Sequence, residues 1–242
     1  MADQRIEKWR RWLDKPIKNG VITLHHHRQI WREIGDIIKE NGNLPDSVFW
    51  QYHRDLYGIT QAIAIRRQAD LHPDVASLAK LLAEVRDDPE RVTPAFWLSL
   101  WDDPADAAFA RRQWDKNYGG EVGDHLDPAI PAADYEELMV AATSAKDYVD
   151  KHVAHADQRP VAAGTTVTLA QIDNTIDVLG KLFRRYYALF TAADMYTLEP
   201  IIQHDWKAVF RVQWLPDKEL PEPVRLAMEE RDKRRAESGE SD

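Results

Sequence analysis

Apolar residues recur along most of the chain with the three- and four-residue spacing that is typical of amphipathic helices. This spacing predicts helices over about residues 4–15, 21–41, 47–67, 74–88, 105–118, 132–154 and 169–193. No segment shows the alternation of apolar and polar residues that indicates a half-buried strand. The pattern therefore predicts an all-α protein, built as an up-and-down helical bundle.

Local signals indicate where these helices begin and end. Asp3 is a candidate N-cap, and Pro16 and Gly20 predict a break between the first two helices. Thr168, with Gln171 three residues later, has the pattern of a capping box at the start of the last long helix. In the third helix the periodicity predicts an inward face that consists of Phe49, Trp50, Leu56, Ile59 and Ile63.

These helix boundaries divide the chain into four predicted regions. We predict an N-terminal helix over 1–19 and a helical domain over 20–215 that ends in a Trp-bearing segment, HDWKAVFRVQWLP. Within the domain, Pro, Asp and Gly interrupt residues 87–131, so we interpret them as an acidic insert that is mostly loop around one helix. Residues 216–242 hold many charges and few apolar anchors, which predicts a mobile tail.

Composition narrows the function classes. The 242 residues include no Cys, which excludes disulfides, thiolate catalysis and Cys-ligated metal centres. No stretch approaches 18 consecutive apolar residues and the N-terminus does not resemble a signal peptide, so we expect a cytoplasmic protein without membrane contact. The net charge is −9, and residues 86–150 account for all of it, with 6 basic and 15 acidic side chains (6 − 15 = −9). A local basic surface is therefore compatible with the acidic total.

The nine His residues are the first candidates for site chemistry. His25, His26 and His27 are consecutive, so on a helix they point about 100° apart and do not readily share one metal ion. His152 and His155 lie three residues apart on one helical face, but no second pair of matching ligands accompanies them. We therefore predict neither a metal site nor a cofactor.

Two segments carry a resemblance to a known family. The string DYVDKHVAHAD at 147–157 resembles the motif region of HEPN-domain proteins, in particular the abortive-infection U family. A second segment, 62–82, resembles the Arg-Arg-x-x-Asp and Ser-Leu-x-x-Leu-Leu patterns of that family. The resemblance covers about residues 20–215. Val149 stands where the family string has Arg.

The resemblance implies a HEPN-like bundle, and many HEPN proteins are metal-independent ribonucleases that act as homodimers. On this basis the candidate catalytic residues are His155, His152, Lys151 and Asp150, with His155 as the acid or base. A His near its ordinary pKa can move the protons of RNA cleavage, and cations can stabilise the developing phosphate charge. Secondary candidates for RNA binding are Arg66, Arg67 and Lys146, although Arg66, Arg67 and Asp70 also fit a structural ion-pair cluster.

Three functions stay open at this point. The first is an endoribonuclease toxin of a prokaryotic defence (abortive-infection or phage-defence) or toxin–antitoxin system, with RNA and an antitoxin or defence protein as partners. The second is a non-catalytic HEPN protein that acts by binding or as a scaffold, since Val149 replaces the expected Arg. The third is a helical scaffold without a nucleic-acid role.

The nine Trp residues also permit two interpretations. They could stack on unpaired bases, or they could belong to the core or to an interface. We favour the core or an interface for Trp31, Trp50 and Trp97.

Overall fold

The structure is a computed structural model that describes residues 3–40, 48–101, 103–120, 123–153, 167–199, 201–202 and 204–211, together with positions 226, 229, 230 and 233. The chain divides into two compact units, residues 1–200 and 201–242. The described residues are mainly helical and hold no strand, so the prediction of an all-α bundle is confirmed.

The first unit contains eight α-helices in its described residues. They are α1 (Gln4–Trp12), α2 (Lys18–Glu40), α3 (Val48–Gln68), α4 (Leu78–Asp87), α5 (Pro94–Leu98), α6 (Ala107–Asn117), α7 (Ala129–Tyr148) and α8 (Leu169–Thr191). Two π-helical turns extend them, Leu13–Ile17 between α1 and α2 and Val149–Val153 after α7. Helix α7 packs against α3, α4 and α8, so it lies at the centre of the bundle.

The predicted break at Pro16 is wrong, because helix runs from Gln4 to Glu40 without interruption. Proline has no N–H to donate and its ring crowds the preceding turn of an α-helix. Here the turn around Pro16 is a π-turn, in which the Lys18 N–H reaches the Leu13 carbonyl five residues back. The wider turn accommodates the proline, and Trp9, Leu13 and Ile17 are fully buried in the core on either side of it.

The predicted inward face of α3 is wrong in its first half. Phe49 and Leu56 are 45% and 46% exposed, and the buried residues of α3 are Gln61, Ala62, Ile65 and Gln68. The second half of α3 packs into the bundle, whereas the first half pairs with α2, where Trp31 stacks on Tyr57 at 4.8 Å between ring centroids. An apolar groove of about 260 Å³ runs between these two helix halves.

The acidic segment 87–131 contributes to the core. Its predicted helix is present as α6, but a second short helix, α5, precedes it, with Pro94 in its first turn and the Thr93 hydroxyl accepting the Phe96 N–H. Residues of this segment that are buried include Val92, Trp97, Ala110, Trp114 and Leu126. The prediction of a core or interface position for Trp97 is therefore confirmed.

Helix α8 begins with the predicted capping box. The Thr168 hydroxyl accepts the Gln171 N–H, and the Gln171 side chain accepts the Thr168 N–H at 2.9 Å. Gln171 also donates to the Ser144 hydroxyl, which fixes the start of α8 against the end of α7. The two helices are antiparallel, so the start of α8 and the motif lie at the same end of the bundle.

The second unit is described mainly at residues 204–211. A 3₁₀ turn, Trp206–Arg211, carries an edge-to-face contact between Trp206 and Phe210 and an ion pair between Arg211 and Asp205. No helix among the described residues is both long enough and apolar enough to span a membrane.

Candidate functional site

The motif residues Asp150, Lys151 and His152 lie on the π-turn Val149–Val153 that continues α7. The sequence predicted an uninterrupted helix here. A π-turn inserts one residue per turn relative to an α-helix, and such turns occur often at functional sites. On this turn Asp150 and Lys151 face solvent, with side chains 48% and 43% exposed.

Val149, by contrast, belongs to the core. It is 4% exposed, and it continues the buried stripe of Leu138, Ala142 and Ala145 at spacings of four, three and four residues. The side chain at this position therefore points into the bundle.

A cation from another helix reaches the motif instead. Arg66 in the last turn of α3 donates from Nε to the Asp150 Oδ1 at 2.7 Å and from Nη1 to the Asp70 Oδ2 at 3.1 Å. The hydrogen bond to Asp150 and the charges of both carboxylates raise the pKa of Arg66 above its ordinary value. The predicted ion pair of Arg66 with Asp70 is confirmed, and Asp150 is an additional partner.

The turn after α3 holds Asp70 in position. Its Oδ1 accepts the His72 N–H at 2.9 Å, and this hydrogen bond, together with the Arg66 charge, lowers the pKa of Asp70. Ser77 caps α4 and also donates its hydroxyl to the Asp70 carbonyl. The second family segment, 62–82, is thus a unit whose local hydrogen bonds fix Arg66 beside the motif.

The two remaining described motif residues make contacts along the helix. Lys151 pairs with Asp147 four residues earlier, with 3.2 Å between Nζ and Oδ2. The His152 ring lies 5.6 Å from the Tyr148 ring, also four residues earlier. The His152 Nε2 is buried and has no hydrogen-bond partner in the part of the chain that is described. The Tyr148 contact was missed at the sequence level, although the four-residue spacing signals it.

The other predicted site residues do not join this cluster. Arg67 is exposed and makes no ion pair with any described residue. Lys146 lies on α7 and lines a shallow depression with Thr143 and Asp147. His155 lies outside the described residues, so its place relative to Arg66 is not given by the structure.

The charges of the site are closely balanced. Arg66 is held between two carboxylates, and Lys151 is held by a third. Any phosphate that approaches these cations must compete with Asp70, Asp147 and Asp150 for them. The arrangement supplies a bidentate-capable guanidinium, a flexible ammonium and an imidazole within one end of the bundle, which are the groups that phosphate recognition and proton transfer require.

Among the described residues no group of three or more His, Asp or Glu side chains could hold a metal ion. Of the three consecutive His residues, His26 and His27 have ring centroids 6.2 Å apart. His25 is buried, and its Nδ1 accepts a hydrogen bond from Arg28 Nη2 at 3.2 Å. Burial lowers the pKa of His25 to about 4, while His27 lines the α2–α3 groove.

Comparison with known proteins gives one family. The family model HEPN_AbiU2, described as AbiU2, matches residues 6–209 of the chain. No curated protein and no solved structure gives a significant match. The matched range includes both segments that carry the motif site, 62–82 and 147–157.

Proposed function

The chain belongs to the AbiU2 family of HEPN proteins, and on this premise we propose that its motif site binds and cleaves RNA without a metal ion. The family is one of abortive-infection proteins, so the protein is assigned to prokaryotic defence. We further propose that it works as a toxin, held in check by an antitoxin or another defence protein.

One observation carries the proposal. Arg66 from α3 lies 2.7 Å from Asp150, so a guanidinium stands beside the motif although Val149 cannot supply one. In the family string the Arg precedes the His on the same helix, and here a cation of the same kind approaches from the neighbouring helix. A guanidinium can bind two phosphate oxygens at once and stabilise the charge that develops during cleavage.

The proposed roles follow from the chemistry of each side chain. His155 removes the proton of the attacking 2′-hydroxyl or returns one to the leaving oxygen, and His152, three residues earlier in the sequence, assists. Arg66 and Lys151 hold the scissile phosphate after exchanging their carboxylate partners for it. Asp150 orients Arg66 in the absence of RNA. Such cleavage leaves a 2′,3′-cyclic phosphate end.

A second candidate is a HEPN protein that binds without catalysis. The ion pairing of Arg66 with both Asp70 and Asp150 favours it, because a cation that already has two partners gains less from a phosphate. The two candidates differ in one observable, the appearance of cut RNA.

The test is incubation of end-labelled RNA with the purified protein, with and without EDTA. We expect cleavage in both conditions, loss of cleavage in His155→Ala, and a loss of tenfold or more in Arg66→Ala. Arg67→Ala is the matched control, because this Arg is adjacent in sequence, exposed and without an ion pair among the described residues. It is expected to cleave like the wild type.

If no RNA is cut but Arg66→Ala weakens RNA binding at low salt, the non-catalytic candidate is correct. If Arg66→Ala and Arg67→Ala behave alike, the site assignment is wrong. We also propose that the protein is cytoplasmic and forms a homodimer. Light scattering on the purified protein measures its oligomeric state directly.

A further inference from the structure

A cavity of about 550 Å³ lies in the first unit between α5, α6 and the second half of α8. This volume is within the range of sites that bind small molecules. The cavity is remote from the motif. Arg185 at its wall pairs with Asp134, which precedes Asp150 by 16 residues, or about 24 Å along a helix. What the cavity binds is therefore a separate question from the proposed RNA cleavage.

One wall of the cavity is aromatic. Trp101 stands edge-to-face between Trp97 and Phe109, with ring centroids 5.8 and 5.7 Å away. Trp97 is anchored, because its Nε1 donates to the Ala110 carbonyl at 2.9 Å. Trp101 is only partly buried, and its Nε1 has no acceptor among the described residues. An indole at a cavity wall is a platform on which a planar base can stack.

The opposite wall is basic. Lys181, Arg184 and Arg185 follow one another at helical spacing on α8. Lys181 and Arg185 each pair with a carboxylate of α7, whereas Arg184 is exposed and has no ion pair within the described part of the chain. Asp194 is the carboxylate among the cavity's lining residues, and Glu137 and Asp134 already neutralise Lys181 and Arg185. Arg184 is therefore the cation most available to an anion in this cavity.

Two side-chain amides also line the cavity. Gln113 and Asn117, one turn apart on α6, both line the cavity. The Asn117 amide donates to the Gln113 carbonyl oxygen at 3.0 Å, which orients the pair. This bond uses one group of each side chain and leaves the Gln113 N–H groups and the Asn117 oxygen to a ligand. A donor and an acceptor side by side match the edge of an adenine base.

We propose that this cavity binds an adenine nucleotide, with the base on Trp101 and its phosphates on Arg184 and Lys181. The aromatic side chains stack on the base, and the amide pair bonds to the hydrogen-bonding edge of the base. The cations bind the phosphates. The nucleotide is either free or a residue of single-stranded RNA, since both present the same chemistry to the cavity. Neither source depends on whether the motif site cleaves RNA.

The test is isothermal titration of the full chain with four probes, namely ATP, adenosine, tripolyphosphate and an oligoadenylate RNA. The RNA arm is carried out in the His155→Ala background, so that cleavage at the motif does not change the probe. We expect ATP, the oligoadenylate or both to bind. Trp101→Ala and Arg184→Glu should each weaken that binding about tenfold or more.

Each variant has a matched control. Trp31→Ala removes a Trp from the α2–α3 groove, and Arg11→Glu reverses an exposed Arg of α1 that belongs neither to the cavity nor to the motif site. Both controls should bind as the wild type does. Arg184→Glu changes an exposed side chain, so it keeps the test valid even where Trp101→Ala fails to fold.

Binding of ATP alone identifies a free nucleotide as the ligand, and binding of the oligoadenylate alone identifies RNA. The proposal is overturned if no probe binds, if tripolyphosphate binds as tightly as ATP, or if both cavity variants bind like their controls.

Discussion

Val149, directly after α7, lies in the core. The presence of Val where the family string has Arg therefore concerns the packing of the bundle before it concerns catalysis. The buried stripe of α7 ends with this residue, which is 4% exposed. An Arg at this position would bring an unpaired charge into the bundle, and burial of such a charge costs more free energy than one helix end readily supplies. Restoring the family residue is therefore a test of stability and not of catalysis.

We predict that Val149→Arg lowers the free energy of unfolding by roughly 3–5 kcal/mol, the cost typical of an uncompensated buried charge. Val140→Arg is the matched control, because Val140 lies on the same helix and is 64% exposed. It should change stability by less than about 0.5 kcal/mol. Urea denaturation of both variants measures the difference, and equal midpoints would show that position 149 tolerates a charge.

Contacts between residues three or four apart in a helix are encoded by a local pattern. The Arg66–Asp70 pair and the Thr168–Gln171 capping box involve residues three or four apart, and both were predicted. The Arg66–Asp150 pair joins residues 84 positions apart. No local pattern encodes that contact, because it depends on how α3 and α7 pack.

Among the helices, the close approach of α2 to α8 depends on the absence of a side chain at Gly180 in α8. A Cβ at Gly180 in α8 would lie 2.6 Å from the Nε2 of His25 and 2.9 Å from a methyl of Leu198. His25 is buried and its other ring nitrogen is bonded to Arg28, so the ring has little room to move. Gly180 is thus a packing requirement within a helix that would otherwise favour Ala.

We predict that Gly180→Ala lowers the free energy of unfolding by about 1–3 kcal/mol, as overpacking of a core does. Gly35→Ala on α2 is its control, since a Cβ there meets no atom within 4 Å. That variant should gain up to about 1 kcal/mol from helix propensity alone. Thermal or urea unfolding distinguishes the two, and a stabilised Gly180→Ala would disprove the close approach.

The errors of prediction at this scale have a common cause. The periodicity of α3 identifies apolar residues, but it does not say that the first half of the helix leaves the bundle, where Phe49 and Leu56 stay exposed. Pro16 is a sound signal for a break in an α-helix. The π-turn that absorbs it is stabilised by burial of Leu13 and Ile17, and burial depends on tertiary packing.

For the molecule as a whole, the net charge of −9 does not by itself prevent RNA binding. Its effect depends on how close the acidic side chains lie to the bound RNA. Exposed charges act over about 10 Å at 0.1 M salt, so carboxylates beside the motif matter and distant ones do not. Asp147 and Lys151, four residues apart, form an exposed ion pair at the motif. Asp14 and Lys18 form an ion pair with the same spacing, and it lies near Tyr187, towards the other end of α8.

These two pairs allow local and total charge to be separated. Asp147→Asn and Asp14→Asn each change the net charge from −9 to −8 (−9 + 1 = −8), and each frees one Lys from its partner. We predict that only Asp147→Asn raises RNA affinity, by about three- to tenfold at 50 mM salt, because only its Lys can reach a phosphate at the motif. The gain should shrink as salt rises, since released counterions drive such contacts. Filter binding across a salt series measures it. Equal gains in both variants would mean that RNA responds to total charge and that the motif is not its binding site.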